Sequence, residues 1–359
     1  MITGDLDRVL ATEVSSAGTW RPGPPGSGPA TFASSAAFLL ARSQGGGPAR
    51  IAAALAARLT PLDWVDAATV TGGGYLTVTV TAAALARLAV RITEAGPACA
   101  RSDALRGVSL TAPPAPDLAA ARGWPQARDE LARHLTGRLA ETAGAAVTWL
   151  DDRERSATPR PLPASGPGPV AEAIGYAGAD AVRFALCRLP PGGRPRLDPR
   201  AVATHQLGNP AYAVRYAHAH AASTLRQAAD LGLHRGEAAG FQPRLLGHPS
   251  EQELAGAMAW LPERVAGAAR RGQPDVLARY LDDLAGAYLT CQERCPAVRP
   301  GMTAEPGAAG QAGPATAPGA AGRPTAGGVT AARLWLVAAA RTTLAAGLGL
   351  LGVNAPDRL

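Results

Sequence analysis

The side chains available for chemistry in this 359-residue chain share one peculiarity: all 35 basic residues are arginine, and no lysine occurs. A chain without an amine side chain has no Schiff-base nucleophile, no P-loop lysine and no lysine to steady a phosphate during adenylate formation. Four cysteines (Cys99, Cys187, Cys291, Cys295) supply one C-x3-C pair, with no second pair to complete a zinc site. Cys291 and Cys295, four apart, share a helical face and read as two buried thiols. His218 and His220 stand two positions apart on a helical pattern and therefore on different faces, which does not suit a metal or catalytic pair. No metal site, cofactor site or catalytic residue is expected from these patterns.

The elements that must position any site are mostly helical. The chain has 42 Gly and 32 Pro, about a fifth of its residues against roughly 12% on average, so linkers are expected beside folded parts. With only 4 Phe, 6 Trp and 6 Tyr, its cores should be Ala/Leu-packed and helix-on-helix. FASSAAFLLARS and PARIAAALAARL have helical spacing, and Pro48 sits where a helix begins. After the triple glycine at 72–74, YLTVTVT alternates as a strand does, and AAALARLAVRITEA returns to helix. These make a small α+β domain over 1–105. Pro- and Arg-rich pieces from 106 to 168 flank one helix, WPQARDELARHLTGRLAETAG, and read as a linker-rich centre. A helical connector over 169–208 then leads to an all-helical bundle over 209–359. Its stretch 298–328, rich in Pro, Gly, Ala and Thr, is expected to be a disordered insertion. The fold class expected is mostly α. The apolar run Leu334 to Val353, broken by Arg341 and repeated Gly, suits a buried helix rather than a membrane span. The N-terminal MITGDLDRVL has acids and no apolar run, unlike a secretory signal, and a cytoplasmic protein with no membrane partner is expected.

The run Asn209 to His220, NPAYAVRYAHAH, resembles the segment that opens the DALR-type anticodon-binding domain of arginyl-tRNA synthetases, which reads close to NPVYYVQYAHAR. Further segments keep the family order: GADAVRFAL (178–186) is similar to the helix closing the catalytic domain, LARYLDDLAGAY to the third bundle helix, and RLWLVAAARTTLAAGLGLLGVNAPDRL to the C-terminal end. The N-terminal domain is similar to the additional domain that bacterial members carry ahead of their active site. Its GxGFxN strand corresponds to Gly73-Gly74-Tyr75-Leu76-Thr77. The resemblance implies that this domain reads the tRNA D-loop, with Tyr75 at the aromatic position and Thr77 at the Asn position. It further implies RNA contact along the first bundle helix at Tyr212, Arg215, Tyr216, Ala217 and His220. Ala213 and His220 replace a Tyr and an Arg of the pattern, removing a stacking surface and a phosphate donor. Tyr216 and Ala217 are also compatible with packing.

The family's ATP-dependent catalytic domain, with a HIGH-type motif after its first strand and a KMSK-type loop near its end, lacks a counterpart. A doubly wound domain needs on the order of 100 residues or more, and only 106–168 is left for it. His134 is a lone histidine there, and RSATPRP stands roughly where the second loop would fall. Adenylation requires positioned cations, so the centre is read as a linker or a remnant of the catalytic domain. The net charge of +7 permits a polyanionic partner, and Arg215, Arg226, Arg235, Arg244, Arg264, Arg270, Arg271 and Arg279 offer phosphate contacts or a merely solvated face. The function expected is a non-catalytic arginyl-tRNA synthetase paralogue, a pseudoenzyme binding tRNA or a tRNA-like RNA. The alternatives are a protein-interaction or regulatory subunit without RNA binding, and the tRNA-binding part of a split arginine–tRNA ligase.

Overall fold

The computed structural model describes residues 2–10, 20–23, 26–151, 168–190, 192, 195–299 and 326–359. At the N-terminus, helix α1 (Ile2–Leu10) precedes strands β1 (Trp20–Pro22) and β2 (Thr31–Ser34), helices α2 (Ala36–Gln44) and α3 (Pro48–Leu59), and the hairpin β3 (Val65–Thr71)–β4 (Tyr75–Val80). The four strands form an antiparallel sheet in the order β1-β2-β4-β3. The hairpin turns through Gly72, Gly73 and Gly74, with φ of 52°, 76° and 152°, values that side chains with a Cβ rarely adopt. A Cβ at Gly74 would also lie 2.7 Å from Pro48 Cβ, so this glycine lets the turn touch the start of α3. Alternation along β4 buries Leu76, Val78 and Val80. Helices α4 (Ala82–Ala86) and α5 (Leu88–Ala95) follow, the first capped by Thr81, whose hydroxyl accepts from Ala84 N.

The centre departs from the linker expectation over residues 109–149. Strand β5 (Ser109–Ala112), helix α6 (Trp124–Thr142) and strand β6 (Ala146–Trp149) form a β-α-β unit, with the strands parallel in register Ser109↔Ala146 to Ala112↔Trp149. Helix α6 is buried on two sides. Leu131 and Leu135 are covered together with the bundle, while Gly137 faces the strands, where a Cβ would overlap Ala112 and meet the Trp149 ring. The two parallel strands are thus joined by a single helical crossover. The segment RSATPRP lies outside the described residues.

Helices α7 (Pro169–Ala177), α8 (Ala179–Arg188) and α9 (Pro199–Ala203) lead into the bundle of α10 (Pro210–Asp230), α11 (Pro249–Ala259), α12 (Leu261–Arg271), α13 (Asp275–Arg294) and α14 (Ala326–Leu350). The fold is mostly α with a small N-terminal sheet. Most of the expected insertion at 298–328 lies outside the described residues. The N-terminal part packs directly on the bundle: Phe32 meets Trp260 at 5.1 Å between ring centroids, Gly256 of α11 lies against Pro29, and α5 packs along α14. Buried apolar side chains accordingly run as one cluster from Ile2 to Val353. All four cysteines are buried free thiols, and burial pushes Cys99, Cys187 and Cys291 up to about 12. Among the described residues no helix is long and apolar enough to cross a membrane.

Candidate nucleic-acid interface

Helix α10 begins where Asn209 makes it begin. The Asn209 side-chain oxygen accepts from Ala211 N at 3.2 Å, its amide donates to the carbonyls of Val202 and Thr204 at 2.8 Å each, and Pro210 takes the first helical position. The incoming chain and the helix are thereby locked together. Alanines then bring α10 close to α13 and α14; Ala217, expected as an RNA contact, is fully buried in this packing.

Beside this packed face a ladder of rings runs along the helix. His205 stacks on Tyr212 (5.3 Å, 15° between planes), Tyr212 on Tyr216 (5.6 Å, 24°), and Tyr216 tilts against His220 (5.9 Å, 48°). His220 meets the fully buried Tyr288 of α13 edge-on at 5.7 Å, and its Nδ1 lies 3.0 Å from the Tyr288 hydroxyl. The spacing of four residues from Tyr212 to Tyr216 to His220 places them one above another. Tyr212, Tyr216 and His220 are half-buried, and His205 is exposed. Burial lowers the His220 pKa, so the ring is neutral at pH 7. Arg215, also half-buried, has its Nε covered without a hydrogen-bond partner. The sequence named Tyr212, Tyr216 and His220 singly; His205, ahead of the helix, and Tyr288, on another helix, belong to the same array and were missed. The four-residue spacing was the available signal for its middle, whereas no local pattern points to Tyr288.

His218, on the other side of α10, has its Nδ1 2.9 Å from the Pro356 carbonyl oxygen, and Arg226 donates to the Asp357 carbonyl at 3.0 Å. Asp357 also takes an ion pair from Arg341 at 2.8 Å, and Asn354 bonds Asp180. These contacts strap the C-terminal tail over the bundle. Other arginines proposed for phosphate are similarly engaged: Arg235 lies over the Trp335 ring at 4.6 Å, and Arg279 pairs with Asp275 at 2.6 Å.

In the N-terminal sheet the two expected contacts separate. Tyr75 is 43% exposed, beside Phe38 at 4.9 Å. Thr77 is 8% exposed, and its hydroxyl lies 2.9 Å from that of Thr71 across the β3–β4 pair. A hydroxyl so covered and engaged does not stand in for an exposed Asn. In the centre, His134 is buried with its Nδ1 3.1 Å from the Pro113 carbonyl oxygen and its ring 5.3 Å from Trp149. Burial lowers its pKa, and it joins α6 to the loop after β5. That loop, residues 113–123, contains neither His nor Lys. Among the described residues no cluster of His, Cys, Asp or Glu is arranged to hold a metal.

A capped all-helical bundle with a ring-lined first helix is thus joined to a small α+β unit. Residues 214–304 match the DALR anticodon binding domain. The chain is 36% identical to an arginine–tRNA ligase of Paenarthrobacter aurescens over 186 residues, covering 52% of this chain and 30% of that protein. With the corresponding ligase of Frankia alni it shares 36% over 182 residues, 51% of this chain and 29% of the relative. The arginyl-tRNA synthetase structure of Thermus thermophilus aligns over 70% of this chain and 41% of its own, with 23% identity and a TM-score of 0.37. The protein is thus arginyl-tRNA synthetase-like over about half its length, and it spans less than a third of the curated relatives it matches.

Proposed function

We propose that this chain is a non-catalytic relative of arginyl-tRNA synthetase that binds tRNA or a tRNA-like RNA, with the Tyr212–Tyr216–His220 ladder and Tyr75 as its stacking surfaces. The observation that carries this reading is the ladder itself, half-exposed at the opening of an anticodon-binding-type bundle. Aromatic rings with one accessible side accept bases of any sequence, and arginines along the same bundle supply salt-dependent phosphate attraction. The loss of catalysis is supported by the β5–α6 connection. In the family the HIGH-type motif follows the first strand, but here Pro113 to Gly123 carries no histidine. The reduced set of specific contacts, with Thr77 and Ala217 buried, favours weak sequence discrimination.

The test is an anisotropy titration of the purified chain with total tRNA at low and moderate salt. Binding that weakens steeply with salt is expected, together with no arginine-dependent exchange of pyrophosphate into ATP. No binding at low salt would transfer the bundle to a protein-interaction role, and arginine-dependent exchange by the purified chain would refute the non-catalytic reading.

A further inference from the structure

A second feature lies on the other side of α10 from the ring ladder. Between the turn after α5, helix α6 and helix α14 opens a cavity of about 660 Å³. Its walls carry Arg101, Arg138 and Arg341 and not one carboxylate. Its floor is made of small residues of α14, Ala345, Ala346 and Gly349. The three units of the molecule meet here, since Arg101 lies at the end of the N-terminal domain, Arg138 belongs to the β-α-β unit and Arg341 to the bundle.

The positive charge is not compensated from behind. A Cβ placed on Gly352 would lie 3.3 Å from a guanidinium nitrogen of Arg183 and 3.6 Å from one of Arg138, so two like charges converge at the back of the cavity. Among the described residues neither of these side chains, nor that of Arg101, has a carboxylate within hydrogen-bonding reach. Of the nearby acids, Asp357 pairs with the wall's own Arg341 and Asp180 is bonded to Asn354, which leaves Arg101, Arg138 and Arg183 as the uncompensated guanidinium groups. Glu141, exposed, is the one acid that favours the charge on Arg138, while burial and Arg183 oppose it. Unpaired guanidinium groups converging on a recess are costly in the absence of an anion, and their forked donors suit phosphate oxygens.

We propose that this cavity is a phosphate-binding site for a polyphosphate ligand of nucleotide size, the phosphates held by Arg101 and Arg138, beside the Asp357-paired Arg341, and an uncharged part lying on the Ala345–Gly349 floor. The volume falls within the range of small-molecule sites. A free nucleotide and a segment of RNA backbone share the phosphate chemistry, and the experiment separates them. The proposal does not depend on the ring ladder, because His218, which lines the cavity, and His220, in the ladder, point about 200° apart around the helix.

Calorimetric titrations of the full chain with inorganic tripolyphosphate and with ADP at low salt provide the test, beside the variants Arg138→Gln and Arg101→Gln. Saturable one-to-one binding is expected, weakened at least tenfold in Arg138→Gln. If tRNA binds the parent without displacing tripolyphosphate, the source is a free polyphosphate. If tRNA displaces it and loses affinity in the variants, the source is an RNA backbone. Removing an unpaired charge should leave the thermal midpoint unchanged or raised. Should Arg138→Gln fail to fold, the exposed Arg101→Gln carries the comparison with a weakening of severalfold. Absence of tripolyphosphate and ADP binding at millimolar concentration, or equal affinity in parent and variants, would overturn the proposal. Loss of tRNA binding in ladder variants with tripolyphosphate binding intact would leave it standing.

Discussion

Replacing Arg333 by Met should be among the most destabilising single changes in the bundle. Glu251, 1% exposed in its side chain, sits in the first turn of α11. One of its oxygens accepts from Arg333 Nε at 2.8 Å, and the other accepts from the His248 backbone N–H at 3.0 Å in a capping box. Arg333, 15% exposed, donates in addition to the Pro296 carbonyl at 3.3 Å, where the chain leaves α13. One guanidinium therefore joins α14 to the start of α11 and the end of α13, on both sides of the stretch 300–325. Removing the cation leaves a buried carboxylate with a single N–H partner. Breaking such a pair from one side costs about 3–5 kcal/mol. With an unfolding entropy of about 2.1 cal/mol/K per residue, a unit of this size shifts by about 1.5–2 °C per kcal/mol, or about 5–10 °C in all. Glu251→Met/Arg333→Met should be less damaging than the sum of the single changes, because neither partner is then left charged and alone; what persists is the lost capping contact, about 1 kcal/mol. Thermal unfolding followed by circular dichroism reads all four proteins. A midpoint for Arg333→Met within 1 °C of the parent, or a double variant that simply adds the singles, would refute this account of the buried pair.

Gly256→Ala should loosen the N-terminal part from the bundle, since the new methyl would stand 2.7–2.8 Å from Pro29 Cβ and its carbonyl oxygen; a lowered midpoint with earlier proteolysis near β1 is the expected readout. Thr77→Val should leave tRNA affinity unchanged and cost at most about 1 kcal/mol of stability, as its hydroxyl serves only the Thr71 pair, whereas a several-fold loss of RNA affinity would return Thr77 to the interface. His134, His218 and His220 all have pKa values lowered by burial, so between the unfolded value near 6.5 and their folded values the unfolded chain binds more protons. Stability should therefore fall as pH drops from 7 to 5, and His218→Asn should flatten that slope; an unchanged slope would show that His218 does not contribute.

The bundle was legible because its helices repeat apolar residues at helical spacing over long stretches, and β4 because Leu76, Val78 and Val80 alternate with Tyr75, Thr77 and Thr79. The β-α-β unit was not. Its strands are four residues long, too short for alternation to register beside PPAP, and α6 meets them with Gly137 and His134, which carry no helical apolar signal. The site shows the same division. Tyr212, Tyr216 and His220 lie on one helix and were read from the family pattern, but their meeting with Tyr288 and the convergence of Arg101, Arg138 and Arg341 depend on tertiary packing, which brings together residues up to 240 positions apart. Thr77 shows the converse: its place in the strand was right to the residue, but its exposure was decided by the Thr71 hydroxyl across the hairpin.

The central claim is that the ring ladder grips RNA. Anisotropy of labelled tRNA against the parent chain and Tyr212→Ala/Tyr216→Ala, at two salt concentrations, tests it most directly. Each stacked base lost should cost about 1–3 kcal/mol, so the double variant should bind at least tenfold more weakly, with its salt slope unchanged because the phosphate contacts remain. Equal affinity of parent and variant, both folded by circular dichroism, would contradict the claim.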